Sequence, residues 1–328
     1  MTMTIKREIQ KLYRRIFHYR PFYNFTDEIS SDYPEIYNIN GERLKIFFLA
    51  DRYFAASPYG QKRPRYIFWD RYNYALKTHF YSEREAFRTT GHPDRRFAML
   101  IESKSIQPEN YSSFIKHKSY FENEFNSVFT YDYETLNTIQ NAKFVPFCAD
   151  YWYGMNDESA ISPDNYMHKN RNISILASEK AKTPLHVVRR DLAMKCRASG
   201  IADAYGTFDG NMNAYVSPDI TLQRYRYSII IENDITPYFF TEKITNCFIS
   251  QTVPVYLGAS RIHEFFNQDG IITLTVNDTD RIEELLKQCT PEEYMRRLPA
   301  ILDNFQRVQE YGNPFDYMYV HHLMKDFG

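Results

Sequence analysis

Residues 225–260 read YRYSIIIENDITPYFFTEKITNCFISQTVPVYLGAS. The β-branched run 228–231 predicts a buried strand that delivers Glu232 and Asn233 to its end. An aromatic loop, 237–240, leads into Thr241-Glu242-Lys243 and a helix whose buried stripe is Ile244, Phe248 and Ile249. A second apolar strand, 253–257, ends at Gly258, a residue suited to a tight turn. Strand, helix and strand in this order build a piece of an α/β sheet.

A helix N-terminus carries partial positive charge and unpaired N–H groups, so it attracts phosphate. Lys243 adds a full charge there, and Glu242 offers acceptors to sugar hydroxyls. Lys beside Glu, after a strand ending in Glu-Asn, suits a sugar diphosphate. The same triplet also reads as plain helix construction, with Thr241 as cap and Glu242 matching the dipole. Residues 183–196 supply a second helix: Thr183 is placed to cap, Pro184 suits the first position, and Leu185, Val188 and Leu192 mark a buried face.

Outward from these segments, strands at 44–49, 66–69, 97–101, 128–131 and 143–147 predict a first α/β half. A second half holds strands at 172–177, 228–231, 253–257 and 271–276. The polar interval 154–171 reads as a linker. Asp280, with Glu283 at N3, is expected to cap a helix over 281–288, and a last helical stretch covers 292–311. The expected division is a basic amphipathic segment (1–25), an acceptor-side α/β domain (26–160), a nucleotide-sugar-binding α/β domain (161–300) and a helical segment (301–328) placed to cross back. The 11 glycines form no G-x-G-x-x-G and no Walker A loop, which excludes dinucleotide-dehydrogenase and P-loop readings.

At 328 residues and net charge −1, the chain has ample core material and no charge demand for nucleic acid. Aromatics reach 17%, which fits either ring-packed cores or a sugar-stacking surface. Cys148, Cys196, Cys247 and Cys289 are widely spaced without metal-like pairs, as in a reducing compartment. The N-x-S/T triplets at Asn24, Asn110, Asn172 and Asn277 are read as chance. No run of 18 apolar residues predicts a membrane span, so a cytoplasmic location is expected. Ile5, Ile9, Leu12 and Ile16 form a stripe among basic residues; it fits peripheral contact with the inner face of a membrane through residues 5–20, or simple packing on the domain.

The elements Ile231-Glu232-Asn233, Thr241-Glu242-Lys243 and Val253-Pro254-Val255-Tyr256-Leu257-Gly258, in that order, resemble the signature of the α-1,3-fucosyltransferases of glycosyltransferase family 10. The resemblance covers 172–276, is looser over 95–150 and is absent before that. It implies the GT-B architecture, two Rossmann-like domains facing across a cleft. It also implies an inverting, metal-independent transfer of L-fucose from GDP-β-L-fucose to a glycan acceptor, with no cofactor. Lys243, Glu242, Asn233 and Glu232 then belong to the donor site.

The family carries an Arg in the first turn of the helix after Thr183 to bind the donor's diphosphate. Aligned on Pro184, that position here is His186, with Arg189 and Arg190 one turn on and Lys182 just before. A donor-contacting tyrosine in relatives aligns with Phe239, beside Tyr238. The catalytic base of the resemblance is a Glu just past an N-terminal strand, here Glu102, at a strand end where open α/β sheets bind ligands. Asp278-Thr279-Asp280 could bind a metal in other glycosyltransferases, but capping accounts for it here, and no metal site is expected. Two alternatives stay open: the same scaffold with another nucleotide sugar, and a non-catalytic glycan-binding protein or partner subunit.

Overall fold

The computed structural model describes residues 44–50, 64–70, 75–155, 158–214 and 216–327. The basic stripe over 5–20 lies outside the described residues. Two compact units result. The first takes the described residues up to Ile101, Pro108–Val145 and those from Asn313 on; the second takes Glu102–Gln107 and Pro146–Gly312.

The first unit is an all-parallel sheet of β1 (Leu44–Leu49), β2 (Ile67–Asp70), β3 (Thr78–Ser82), β4 (Arg95–Leu100), β5 (Ser127–Thr130) and β6 (Ala142–Phe144), in the order β2-β1-β3-β4-β5-β6. Helices α1 (Pro108–Lys116), α2 (Lys118–Glu124) and α3 (Tyr133–Thr138) connect its later strands. Rings form its core: Phe80 stacks on Phe97 at 4.7 Å and Phe97 on Phe129 at 5.6 Å, running across three neighbouring strands. These rings are core material.

The second unit holds β7 (Arg171–Leu176), β8 (Asp203–Tyr205), β9 (Tyr225–Ile231), β10 (Val253–Leu257) and β11 (Ile272–Thr273), again parallel, in the order β11-β10-β9-β7-β8. Its helices are α4 (Pro184–Ser199), α5 (Pro218–Leu222), α6 (Glu242–Ile249), α7 (Ile282–Leu286), α8 (Pro291–Arg296) and α9 (Leu298–Val308). β9 is central and buried on both faces, which is why it reads as a continuous apolar run. Tyr227, Ile229 and Ile231 join Leu192 and Cys196 of α4 in one core. Winding starts at β7, goes first to β8, then reverses to β9, so the switch point lies between β7 and β9. Ligands of open parallel sheets bind at the C-terminal ends of strands at that point.

Both helices singled out in the sequence form as their ends dictate. Thr183 Oγ1 accepts from the His186 N–H, Pro184 opens α4, and Gly200 closes it at φ 71° in the left-handed region. Thr241 caps α6, and Ile244, Phe248 and Ile249 are buried as expected. Gly258 serves close packing rather than an unusual turn: a Cβ there would lie 2.3 Å from Tyr256 Oη and 2.6 Å from Glu232 Cγ.

Other expectations are corrected. Strand β3 was not anticipated, because Thr78, His79 and Ser82 look polar; all three are buried, with His79 bonded to Tyr81 Oη and to the Leu76 carbonyl. The strand expected over 271–276 stops at Thr273, since Asp278 accepts from Thr275 N (2.8 Å) and Oγ1 (2.7 Å) and folds the chain into a turn. Asp280 therefore does not cap a helix; Asp278 is the capping carboxylate, and α7 begins after Arg281. Hydrogen bonds from Thr275 and Arg281 hold Asp278 down at a pKa of about 2. The helix expected over 292–311 breaks into α8 and α9, because Pro299 lacks the N–H that would continue it. The interval 154–171 is tied into the second unit, with Gln251 donating to the Ser162 and Pro163 carbonyls and accepting from Tyr166 N.

Candidate functional site

A cavity of about 410 Å³ in the second unit follows the C-terminal ends of β7 and β9. Leu176, Ala177 and Ser178 line it from the β7 exit, Ile231 and Asn233 from the β9 exit, and Thr241, Glu242 and Lys243 from the tip of α6. Of the residues expected at the site, it gathers Glu102, His186, Arg189, Asn233, Phe239, Glu242 and Lys243. Glu232, Arg190 and Tyr238 are not on its wall.

Those three have other work. Glu232 is fully buried beneath the α6 tip, where its carboxylate accepts from Thr241 N (2.9 Å) and Oγ1 (2.8 Å) and faces Lys243 Nζ at 3.5 Å. Burial raises its pKa, and Lys243 opposes that rise. Glu232 thus braces the helix tip from beneath the cavity wall. Arg190 pairs with Asp191. Tyr238 donates to Glu264 and lies under the Arg261 guanidinium.

Lys243 Nζ sits 3.0 Å from Glu242 Oε1 and 2.9 Å from Thr241 Oγ1. Desolvation alone would lower its pKa; the carboxylates of Glu242 and Glu232 outweigh that and raise it. The ammonium is therefore charged at neutral pH. Arg189 is buried and donates to the Ile231 carbonyl (2.6 Å) and to Asn233 Oδ1 (3.4 Å), which pins the β9 exit; burial lowers its pKa, and Glu232 and Glu242 offset part of this.

His186 is held as a cap. Its Nδ1 accepts from Thr183 N at 3.2 Å, completing a reciprocal capping box. Burial, with Arg189, Lys243 and Lys180 nearby, pulls its pKa down to about 4, so the ring is neutral. A histidine with a folded pKa below its unfolded value binds fewer protons when folded, so folding stability falls as pH drops from 6.5 towards 4. His186→Gln keeps an N3 acceptor for the cap and removes the titration. Its melting temperature is expected to depend less on pH across that window than the wild type's, measured by thermal scans from pH 7 to 4.

Glu102 follows β4 but belongs with the second unit, through Ser105, whose N–H donates to Asp234 Oδ2 (3.0 Å) and whose hydroxyl donates to the Asn233 carbonyl (3.0 Å). One Glu102 oxygen accepts from Ser103 N at 2.7 Å. A residue the sequence did not flag steadies the β4 exit: Glu83, at φ 53° and buried, accepts from Ile101 N (2.6 Å) and Asn110 Nδ2 (3.0 Å). Non-glycine residues with positive φ deserve scrutiny, but nothing in the sequence gives φ. Lys180, Cys148, Trp152 and Thr207 also line the cavity without having been expected there. Trp152 is 44% exposed, and its backbone N–H donates to Asn246 Oδ1 of α6 at 2.6 Å.

The arrangement can hold an anion at the α6 tip, offer carboxylate acceptors beside it, and bring a further carboxylate, Glu102, to the same wall. No group of His, Cys, Asp and Glu suited to a metal ion occurs among the described residues, and no helix among them is long and apolar enough to cross a membrane.

Residues 166–296 match the family model described as glycosyltransferase family 10 (fucosyltransferase) C-term. No curated protein matches the chain. Among solved structures it is similar to an α1,3-fucosyltransferase with GDP, at 14% identity over 86% of this chain and 96% of that one, with a TM-score of 0.51. It is also similar to Anabaena Alr3699/HepE in complex with UDP and glucose, at 9% identity over 86% of this chain and 100% of that one, TM-score 0.51. A trehalose-6-phosphate synthase aligns at 8% identity over 86% of this chain and 93% of that one, TM-score 0.52. At such identities the likeness is one of fold. The chain is a glycosyltransferase of the GT-B fold that carries, over residues 166–296, the C-terminal domain of glycosyltransferase family 10.

Proposed function

We propose that the chain transfers L-fucose from GDP-β-L-fucose to a hydroxyl of a glycan acceptor, with inversion and without a metal. One observation carries the reading: a charged Lys243 at the tip of α6, braced from below by Glu232, on a cavity at the switch point of the second sheet. The fucosyltransferase family match over the same residues supports it. In this mechanism Lys243 balances the charge that grows on the diphosphate as it leaves. Glu242 and Asn233 hold sugar or ribose hydroxyls, and Phe239 covers the donor against water. Glu102 takes the proton from the acceptor hydroxyl as its oxygen attacks the anomeric carbon.

A second reading has its own support. The neutral, capped His186 and the apolar Phe239 depart from the fucosyltransferase pattern, which favours the same scaffold working on another nucleotide sugar. Calorimetric titration with GDP, UDP and dTDP separates the two. The fucosyl reading expects GDP to bind at least tenfold more tightly than UDP and dTDP, and GDP release from GDP-fucose when acceptor is present. Tight binding of UDP or dTDP with no binding of GDP overturns it.

A further inference from the structure

The charges around the cavity raise a question that Lys243 does not answer. A nucleoside diphosphate sugar brings two negative charges. Arg189 and Lys243 are matched by Glu232 and Glu242, and Arg189 is already committed to the β9 carbonyl and Asn233. Glu102 adds a further carboxylate to the wall, and His186 contributes no charge. Without another cation this wall would repel a dianion.

Lys180 stands where such a cation is needed. It lines the cavity on the β7 exit loop, three residues before the Thr183 cap. The loop is fixed rather than free. Ala177 N donates to the Tyr205 carbonyl at 3.0 Å, and Thr207 Oγ1 donates to Glu179 Oε2, which occupies the neighbouring carboxylate. Gly206, at φ 99°, lets the β8 exit press against this loop: a Cβ there would lie 2.2 Å from the Ala177 carbonyl oxygen. Lys180 is itself exposed, so its ammonium can swing on a flexible stem without a burial cost.

We propose that Lys180 is the second diphosphate-binding cation of this enzyme, replacing from the loop the charge that the first turn of α4 lacks. The proposal rests on the nucleotide-sugar reading of the cavity, not on the identity of the base or of the sugar. Lys180 meets the pyrophosphate from the β7 exit loop as a point charge, while Lys243 approaches from the α6 tip.

The test is calorimetry of Lys180→Ala and Lys180→Arg against wild type, with GDP, UDP, dTDP and the matching nucleosides guanosine, uridine and thymidine. Lys180→Ala is expected to weaken the diphosphate that the wild type prefers by about tenfold, to leave its nucleoside unchanged, and to flatten the salt dependence of binding. Lys180→Arg is expected to restore most of the affinity. An unchanged diphosphate affinity in Lys180→Ala overturns the proposal, as does an equal loss for nucleoside and diphosphate, which would mark a packing role. If the wild type binds UDP or dTDP and not GDP, the fucosyl reading falls while the Lys180 comparison still decides this proposal. A wild type that binds no nucleoside diphosphate overturns both.

Discussion

Lys243→Ala is expected to lower kcat/KM for the sugar donor by roughly 10²- to 10³-fold, the scale on which single groups stabilising transition-state charge act. Two effects add. The variant loses the ammonium at the α6 tip, and it leaves the buried Glu232 carboxylate and the cavity-wall Glu242 carboxylate without their shared counterion. Glu232 is fully buried, so the residual negative charge is poorly screened and would repel a diphosphate. GDP affinity should therefore fall along with turnover, beyond the loss of a single contact. Lys243→Arg should recover little, because a planar fork cannot occupy the compact site between Thr241 Oγ1 and two carboxylates. Titration with GDP and steady-state kinetics with GDP-fucose, on protein whose melting shows a folded state, measure this. Wild-type GDP affinity in Lys243→Ala would remove the α6 tip from the donor site.

The parts of this site legible in the sequence are those whose physics is local. Thr183-Pro184 and Thr241-Glu242-Lys243 announce helix starts because a cap and its first turn lie within four residues. β9 and β10 announce themselves by unbroken apolar runs, which a strand buried on both faces requires. What stayed hidden depends on contacts distant in sequence. Glu232 and Asn233 look alike as polar residues at a strand end. Only the fold shows that Glu232 is swallowed by Thr241, nine residues on, while Asn233 stays on the cavity wall. His186 occupied the position of a ligand-binding Arg by alignment; its capture by the Thr183 N–H depends on side-chain geometry that the letter does not reveal. Lys180 passed unnoticed because a lysine in a polar loop looks like any solvated charge until the β7 and β8 exits are seen together. β8 itself is three residues long at a sheet edge, too short for periodicity to declare.

Glu102→Gln is expected to reduce kcat by about 10²- to 10⁴-fold, the range for losing a positioned general base, while GDP binds as in the wild type. The separation is the informative part. In the proposed mechanism Lys243 serves the donor, so its loss should show in both binding and turnover. Glu102 is there assigned the acceptor's proton, so its loss should show in turnover alone. The substitution suits this purpose because the Gln carbonyl can still accept from Ser103 N, keeping the β4 exit in place. The fixed loop supports the same expectation: Ser105 remains bonded to Asp234 and to the Asn233 carbonyl whatever stands at 102, so the donor wall is undisturbed. Turnover of Glu102→Gln within threefold of wild type would show that another group takes the proton.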